Sequence, residues 1–411
     1  MTEFPKGFLW GASTSPHQTE GNNVNSDWWA REGLIPGMDL SGDADDSYHR
    51  FGEDMRLLAN AGLNAYRFGI EWARIEPRPG QFSLAELSHY RRMIQSAFDL
   101  GVTPVVTLHH FSSPRWFAEQ GGWSAPDAVD RFTKFAAAAA EILHDVPWVI
   151  TINEPNMLAM MTMMEDAFRS GQVKEWQTPT IQEEGIADAP VMALPTPSTE
   201  YGAPLAEAHH AAREILRSRT DARIGWSVAN QAFLASPGGE AKLLEVRHDW
   251  EDFYLDATSG DDFVGVQSYS SQQVDANGIV PHPPHPDNTL VGTAFRPDAL
   301  GIAIRHTWER TRLPILVTEN GIATSDDERR VSYTREALRH LSNAIGEGAD
   351  VRGYLHWSLL DNYEWGHWAP TFGLVAVDRT TFARAPKPSL TWLGDVARAN
   401  GKPVAGGERS I

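Results

Sequence analysis

Two short stretches of this 411-residue chain hold residues that can do chemistry, Thr151-Ile152-Asn153-Glu154-Pro155 and Val317-Thr318-Glu319-Asn320-Gly321. Each follows an apolar, β-branched run, over 148–152 and 315–318, and each closes on Glu beside Asn with Pro or Gly close behind. A carboxylate at the end of a buried strand is costly unless it is compensated or used. A single strand-end Glu reads equally well as a helix cap or a loop pin. Two in matched settings point instead to a pair converging on one pocket. Two facing carboxyls without a metal-ligand set suit cleavage of a glycosidic bond. One must be protonated to help the leaving oxygen depart, and the other ionised to attack the anomeric carbon, so their surroundings must push their pKa values apart. Asn153 is placed to hydrogen-bond a sugar hydroxyl, and Arg67 to hold a neighbouring carboxylate ionised near the pocket floor.

Such a pair needs strands that end on one face, and the hydropathy pattern supplies them. Strands are expected over 8–14, 65–70, 103–110, 148–154, 223–230, 263–270, 314–319 and 351–360. Helices are expected over 45–61, from a Ser83 N-cap to Gly101, and over 127–144, 204–219, 240–258, 299–310, 329–345 and 389–399. Ser83 with Glu86 is a capping pattern, and Gly62 and Gly101 are stop signals. An added helix is expected over 156–165. The stretch 172–204 is Pro-rich and irregular, 275–297 is a Gly/Pro/His-rich loop, and 361–388 is a long loop with a hairpin near 372–378. Strands alternating with helices give a parallel sheet with helical crossovers. Eight such units without a linker-like break predict one (β/α)8 TIM-barrel domain over 1–411. No Gly-rich phosphate loop follows a strand, which argues against an open doubly wound sheet. Barrel active sites lie at the C-terminal ends of the strands, where Glu154 closes strand four and Glu319 strand seven.

Composition narrows the partners. The chain is 42% hydrophobic and 22% charged, ordinary for a globular protein. A net charge of −19 makes nucleic acid and anionic membranes poor partners, whereas a neutral small molecule meets no penalty. With no Cys, neither disulfides nor thiolate metal sites can form, which fits a reducing cytoplasm. No basic segment followed by an apolar core opens the chain, and no run nears the ~20 apolar residues of a spanning helix. A cytoplasmic location is therefore expected. Fifteen Trp supply either a large core or flat faces for a sugar. His109 and His110 are adjacent on a strand and so face opposite sides, which disfavours a shared metal. His282 and His285 read as a solvated loop, so no metal and no cofactor is expected. Met157, Met160, Met161, Met163 and Met164 read as helix core ahead of ligand contacts, His209-His210 as a structural pair opening a helix, and the Ala run 136–140 as a close helix contact.

Longer motifs carry a resemblance. Phe8-Leu9-Trp10-Gly11-Ala12-Ser13 with Gln18 and Glu20-Gly21, Tyr66-Arg67-Phe68 with Trp72 and Arg74-Ile75, the Asn153-Glu154-Pro155-Asn156 and Thr318-Glu319-Asn320-Gly321 segments, and Trp357-Ser358-Leu359-Leu360-Asp361-Asn362-Tyr363-Glu364-Trp365 occur in order from residue 8 onward. Together they are similar to the motifs of glycoside hydrolase family 1, the β-glucosidase type. The resemblance implies a retaining, exo-acting β-glycosidase. Its substrate would be a small β-glycoside or oligosaccharide with a terminal, non-reducing, unphosphorylated sugar, with glucoside, galactoside and fucoside all open. It implies Glu319 as nucleophile and Glu154 as acid and then base. Gln18, His110, Asn153, Glu364 and Trp365 would bind the sugar hydroxyls, Trp357 would stack on the ring, and Tyr269 would hydrogen-bond the nucleophile with Arg67 behind it. A neutral polyol needs such a set of donors and acceptors beside an aromatic platform.

The chain departs from the family pattern in places. His110-Phe111-Ser112-Ser113-Pro114 stands where His-Trp-Asp usually precedes Leu-Pro, and Phe111 has no N–H to donate. Gln267 and Ser268 stand where Asn and Tyr are usual, and the longer Gln is expected to meet a different hydroxyl. The chain is also short for the family. A transglycosidase would use the same carboxylates and stays open. A non-catalytic sugar-binding barrel would lack one of the two Glu. A 6-phospho-β-glycosidase would replace the acid at Glu364 and add Ser and Lys nearby, yet no Lys occurs over 358–386, and a charged Glu364 would repel an anion.

Overall fold

The computed structural model describes residues 4–172 and 194–402. Eight strands close into a parallel barrel: β1 Leu9–Ser13, β2 Ala65–Gly69, β3 Thr103–His109, β4 Trp148–Asn153, β5 Arg223–Ala229, β6 Val264–Gln267, β7 Ile315–Asn320 and β8 Val351–Trp357. Each pairs with its neighbours in the chain, and β1 closes the ring on β8. The expected (β/α)8 architecture is the observed one. Nearly every strand residue is buried, because one face packs inside the ring and the other under the helices. Leu9, Ala65, Val105, Trp148, Ile150, Phe263, Leu316 and Leu355 form a compact cluster of their own, drawn from around the ring. Gly265 of β6 is required where it sits, since a Cβ there would run into Ser227 of β5.

The helices follow the expected signals. Ser83 accepts from the Glu86 N–H at 3.3 Å and opens the helix Leu84–Asp99. Gly62, at φ 96°, stops the helix Ser47–Ala61. The Ala run lies on the helix Ala128–Ala140, with Ala136, Ala139 and Ala140 fully buried where it packs on the helix Thr199–Arg217.

Several boundaries differ from expectation. The helix expected from Pro204 starts earlier, at Thr199, because Ser198 takes the capping role and Pro204 sits inside the helix. His209 therefore lies within this helix, fully buried between Thr151 and Asp261, rather than at its start. The helix expected over 240–258 is Glu240–Arg247, a wide π turn over His248–Asp252 and the short helix Phe253–Asp256. The loop expected over 275–297 hides an antiparallel pair, Gln273–Asp275 with Gly278–Val280. The hairpin expected near 372–378 pairs Val375–Val377 with Arg384–Pro386, across a longer turn. Most of the irregular stretch 172–204 lies outside the described residues. Among the described residues no helix is long and apolar enough to cross a membrane.

Candidate active site

Both strands that end in the key carboxylates lose regular register just before them. The β4–β5 ladder shifts between Ile150 and Asn153, and the β6–β7 ladder between Val317 and Glu319. A shift of this kind turns the following side chains away from the regular alternation. Glu154 itself takes φ 44° and ψ 63°, the left-handed region, and Pro155 begins the helix Pro155–Arg169 directly after it. A non-glycine residue held there costs about 1–3 kcal/mol, and such strain gathers at functional positions. The result is that Glu154 and Glu319 line one cavity of about 330 Å3 at the C-terminal face of the barrel, with His110, Phe111, Met157, Gln267, Tyr269, Trp357, Glu364 and Trp365 among its walls. That volume lies at the small end of the range for ligand pockets.

The two carboxyls have unequal surroundings. Glu319 Oε1 accepts from Arg67 Nη1 and, at 2.8 Å, from Gln267 Nε2, while Oε2 accepts from the Tyr269 hydroxyl at 2.6 Å. Arg67, fully buried in β2, also donates to Thr107 Oγ1 at 3.0 Å and Asn153 Oδ1 at 2.5 Å. Burial raises the Glu319 pKa, but Arg67, Tyr269 and Gln267 all pull it back toward the ionised form. The Glu154 carboxyl has no hydrogen-bond donor among the described residues. Burial and then the charge of Glu319 hold its pKa well above the usual carboxylate range, with only Arg67 acting the other way. One carboxyl is thus provisioned for negative charge and its neighbour for a proton.

On the opposite wall Glu364 accepts from Trp357 Nε1 at 3.0 Å and Gln18 Nε2 at 3.2 Å. Burial, helped by the charge of Glu319, pushes its pKa up to about 8. This corrects the expectation of a charged Glu364, because the carboxyl is largely protonated at neutral pH. His110 lies near-parallel to Trp365, ring centres 5.9 Å apart, and to Trp357, 5.7 Å apart. Burial keeps its imidazole neutral. Asn153 Nδ2 donates to His110 Nε2 at 3.2 Å, so the ring proton sits on Nδ1, which has no protein partner.

The structure gathers every expected site residue, though not all at the surface of the cavity. His110, Glu154, Tyr269, Glu319, Trp357, Glu364 and Trp365 line it, whereas Gln18, Arg67 and Asn153 stand one layer behind. Asn153 Oδ1 is already shared by Arg67, Gln267 and Ser227, and one amide hydrogen goes to His110, so only the second amide hydrogen is left to offer a ligand. Gln267 lines the cavity, with its Oε1 unpartnered among the described residues. Its extra methylene carries the amide across to Glu319 and Asn153 at once. Thr107 and Ser227 were missed. The signal was a small polar residue inside an otherwise apolar strand, which alone does not say what it touches. The methionines divide: Met160 packs with Phe233, Val246, Trp250 and Val274, while Met157 reaches the cavity.

Known proteins are similar to this chain in sequence and fold. The model of glycosyl hydrolase family 1 matches residues 1–234 and 239–402. The thermostable β-glucosidase B of Thermobispora bispora is 32% identical over 451 residues, covering 97% of this chain and 91% of that protein. The crystal structure of one β-glycosidase is 39% identical with a TM-score of 0.85, covering 98% of this chain and 99% of that one. The β-glucosidase of Thermotoga maritima in complex with castanospermine is 26% identical with a TM-score of 0.84, covering 98% of this chain and all 100% of the other.

Proposed function

The chain belongs to glycosyl hydrolase family 1 and is a β-glycosidase, and from that premise we propose that it removes a terminal, unphosphorylated β-linked sugar by double displacement with net retention. Glu319 is the nucleophile and Glu154 the acid and then the base. The observation that carries this reading is the inequality of the pair: Glu319 accepts from Arg67, Gln267 and Tyr269, whereas Glu154 is buried, undonated and held toward its protonated form.

In the first step a Glu319 oxygen attacks the anomeric carbon as the bond to the leaving oxygen breaks, and the Glu154 proton passes to that oxygen. The glycosyl ester removes the charge of Glu319, so the pKa of Glu154 falls. Water then attacks the same carbon, its proton goes to Glu154, and Glu319 leaves as carboxylate. Tyr269 stays a phenol throughout, since burial and the nearby carboxylates push its ionisation far up, and so remains a donor. Trp357 offers the ring a flat face, and the neutral His110, Glu364 and the Trp365 indole offer it polar contacts. That the Thermotoga relative forms a complex with castanospermine supports a small-molecule ligand for this chain.

An activated 2-fluoro β-glucoside tests the assignment. It is expected to label Glu319 alone, and Glu319→Gly is expected to abolish hydrolysis while the fold persists. A label on any other carboxylate would overturn it.

A further inference from the structure

Phe111 walls the cavity from a conformation that its side chain disfavours. Its φ is +63°, and the Ser112 N–H reaches back to the His110 carbonyl at 2.7 Å, closing a three-residue turn around it. A bulky residue in the left-handed region needs outside support. Phe111 meets Trp365 edge-on at 5.0 Å and His110 at 5.2 Å, so the turn sets two walls of the pocket together. It also separates the cavity from a second, smaller one lined by Trp28, Trp123, Leu158 and Met161.

The support comes from two buried carboxylates. Asp27 Oδ1 accepts from the Ser113 N–H at 2.9 Å, and its Oδ2 from Arg31 at 3.0 Å. Glu71 Oε2 accepts from the Ser112 hydroxyl at 2.7 Å, and its Oε1 from the Ala73 N–H at 3.0 Å, where Glu71 caps the short helix Trp72–Ile75. Glu71 is 2% exposed and makes no ion pair among the described residues, and Arg74, whose charge it feels, is paired with Glu20 at 2.9 Å.

We propose that Glu71 is a positioning residue for sugar binding: acting through the Ser112 hydroxyl, its carboxylate holds the Phe111 turn that shapes one wall of the pocket. The proposal rests on the reading of this pocket as a glycoside site. Glu71 touches neither the sugar nor the reacting atoms, so its effect falls on binding. It is also a group whose charge changes near neutrality. Burial pushes its pKa up to about 7, the Ser112 and Ala73 hydrogen bonds oppose that, Glu20 adds to it and Arg74 lessens it. Tyr90, the other ionisable group facing it, stays neutral because burial and Glu20 raise its pKa. The ionised carboxylate makes the stronger bond to Ser112. The wall is therefore firmest above this range and loosens as the pH falls through it.

The test uses phenyl 1-thio-β-glucoside, a neutral ligand that is not hydrolysed, with Kd measured by calorimetry beside KM and kcat on an aryl β-glucoside. Ser112→Ala is expected to raise Kd and KM roughly tenfold while kcat changes by less than about threefold. Glu71→Gln can still accept from Ala73 and donate to Ser112, so its Kd is expected near wild type at pH 7. The wild-type Kd is expected to weaken from pH 8 to pH 6, and that of Glu71→Gln to stay flat beyond what other groups contribute. An unchanged Kd in Ser112→Ala, a loss in kcat that matches the rise in KM, or a wild-type slope retained in Glu71→Gln would each overturn the role of Glu71. A wild type that binds neither this thioglycoside nor its β-galactoside and β-fucoside counterparts would instead sink the reading of this pocket as the glycoside site, on which the role rests.

Discussion

Removing the Tyr269 hydroxyl is the sharpest test of how Glu319, the proposed nucleophile, is drawn toward its ionised form. Glu319 Oε1 is held by Arg67 and Gln267, but Oε2 has Tyr269 alone, at 2.6 Å. Tyr269→Phe thus strips one carboxylate oxygen of its protein donor. The ring keeps its edge contact with Phe372, 5.8 Å away, and the Tyr269 carbonyl keeps its bond from the Tyr333 hydroxyl at 2.6 Å. A hydrogen bond to a charged group contributes about 1.5–3 kcal/mol. At about 1.4 kcal/mol per factor of ten, kcat/KM at pH 7 is expected to fall roughly 10- to 150-fold. The pH profile adds a sign. Tyr269 lowers the pKa of Glu319, so its loss lets that pKa rise, and the acidic limb of kcat/KM is expected to move to higher pH. The assay is kcat/KM on an aryl β-glucoside from pH 4 to 9, with a thermal melt as control. A variant within twofold of wild type whose acidic limb has not moved would refute the reasoning.

Glu154→Ala is expected to slow a sugar leaving group by about 10²–10⁴-fold in the first step, while a dinitrophenyl glycoside, which leaves unaided, is limited only in the second. Azide should then restore turnover of the dinitrophenyl substrate as the β-glycosyl azide, whereas an α-azide product would contradict retention. Glu364, held up to about 8, and a cavity whose walls include no Lys or Arg are expected to favour aryl β-glucoside over its 6-phosphate at least ~10-fold at pH 7, because a buried phosphate finds no cation there. That preference should widen by pH 9 as Glu364 ionises, and a constant ratio from pH 7 to 9 would count against its role. Outside the cavity lining, Asp45 is fully buried with neither carboxyl oxygen hydrogen-bonded among the described residues, and burial together with Asp54 holds its pKa well above normal. The folded state therefore binds a proton that the unfolded state releases, and stability is lost as pH rises above the ordinary Asp range. Asp45→Asn should match wild type in urea unfolding at pH 3.5 and be more stable by about 1–3 kcal/mol at pH 7. Equal stability at both pH values would contradict this account.

Local signals carried the architecture. The apolar runs that became β4 and β7 were readable because a strand buried on both faces leaves an unbroken β-branched stretch, and Gly62 and Ser83 marked helix ends by backbone freedom and capping chemistry. The π turn at His248–Asp252 and the early start at Thr199 were not readable, because each depends on a hydrogen-bond pattern that side-chain periodicity does not encode. The short pair Gln273–Asp275 with Gly278–Val280 was hidden for a related reason: three-residue strands are too brief to show alternation.

The chain by itself determined that Glu154 and Glu319 end parallel strands on one face, because the order of eight strand–helix units dictates where the C-terminal ends gather. It also determined the aromatic and polar supply of the pocket, since Trp357, Glu364 and Trp365 lie within one short segment. Only the tertiary structure showed how unequal the surroundings of the two carboxyls are. That difference comes from Arg67, Gln267 and Tyr269, which belong to three separate segments and meet on Glu319, and from the absence of any such donor at Glu154 among the described residues. Tertiary structure alone likewise set the Gln267 amide against Glu319 and Asn153 and raised the Glu364 pKa to about 8. Ionisation depends on burial and on distances of a few ångströms between residues remote in the chain, and neither quantity is written in the order of the amino acids.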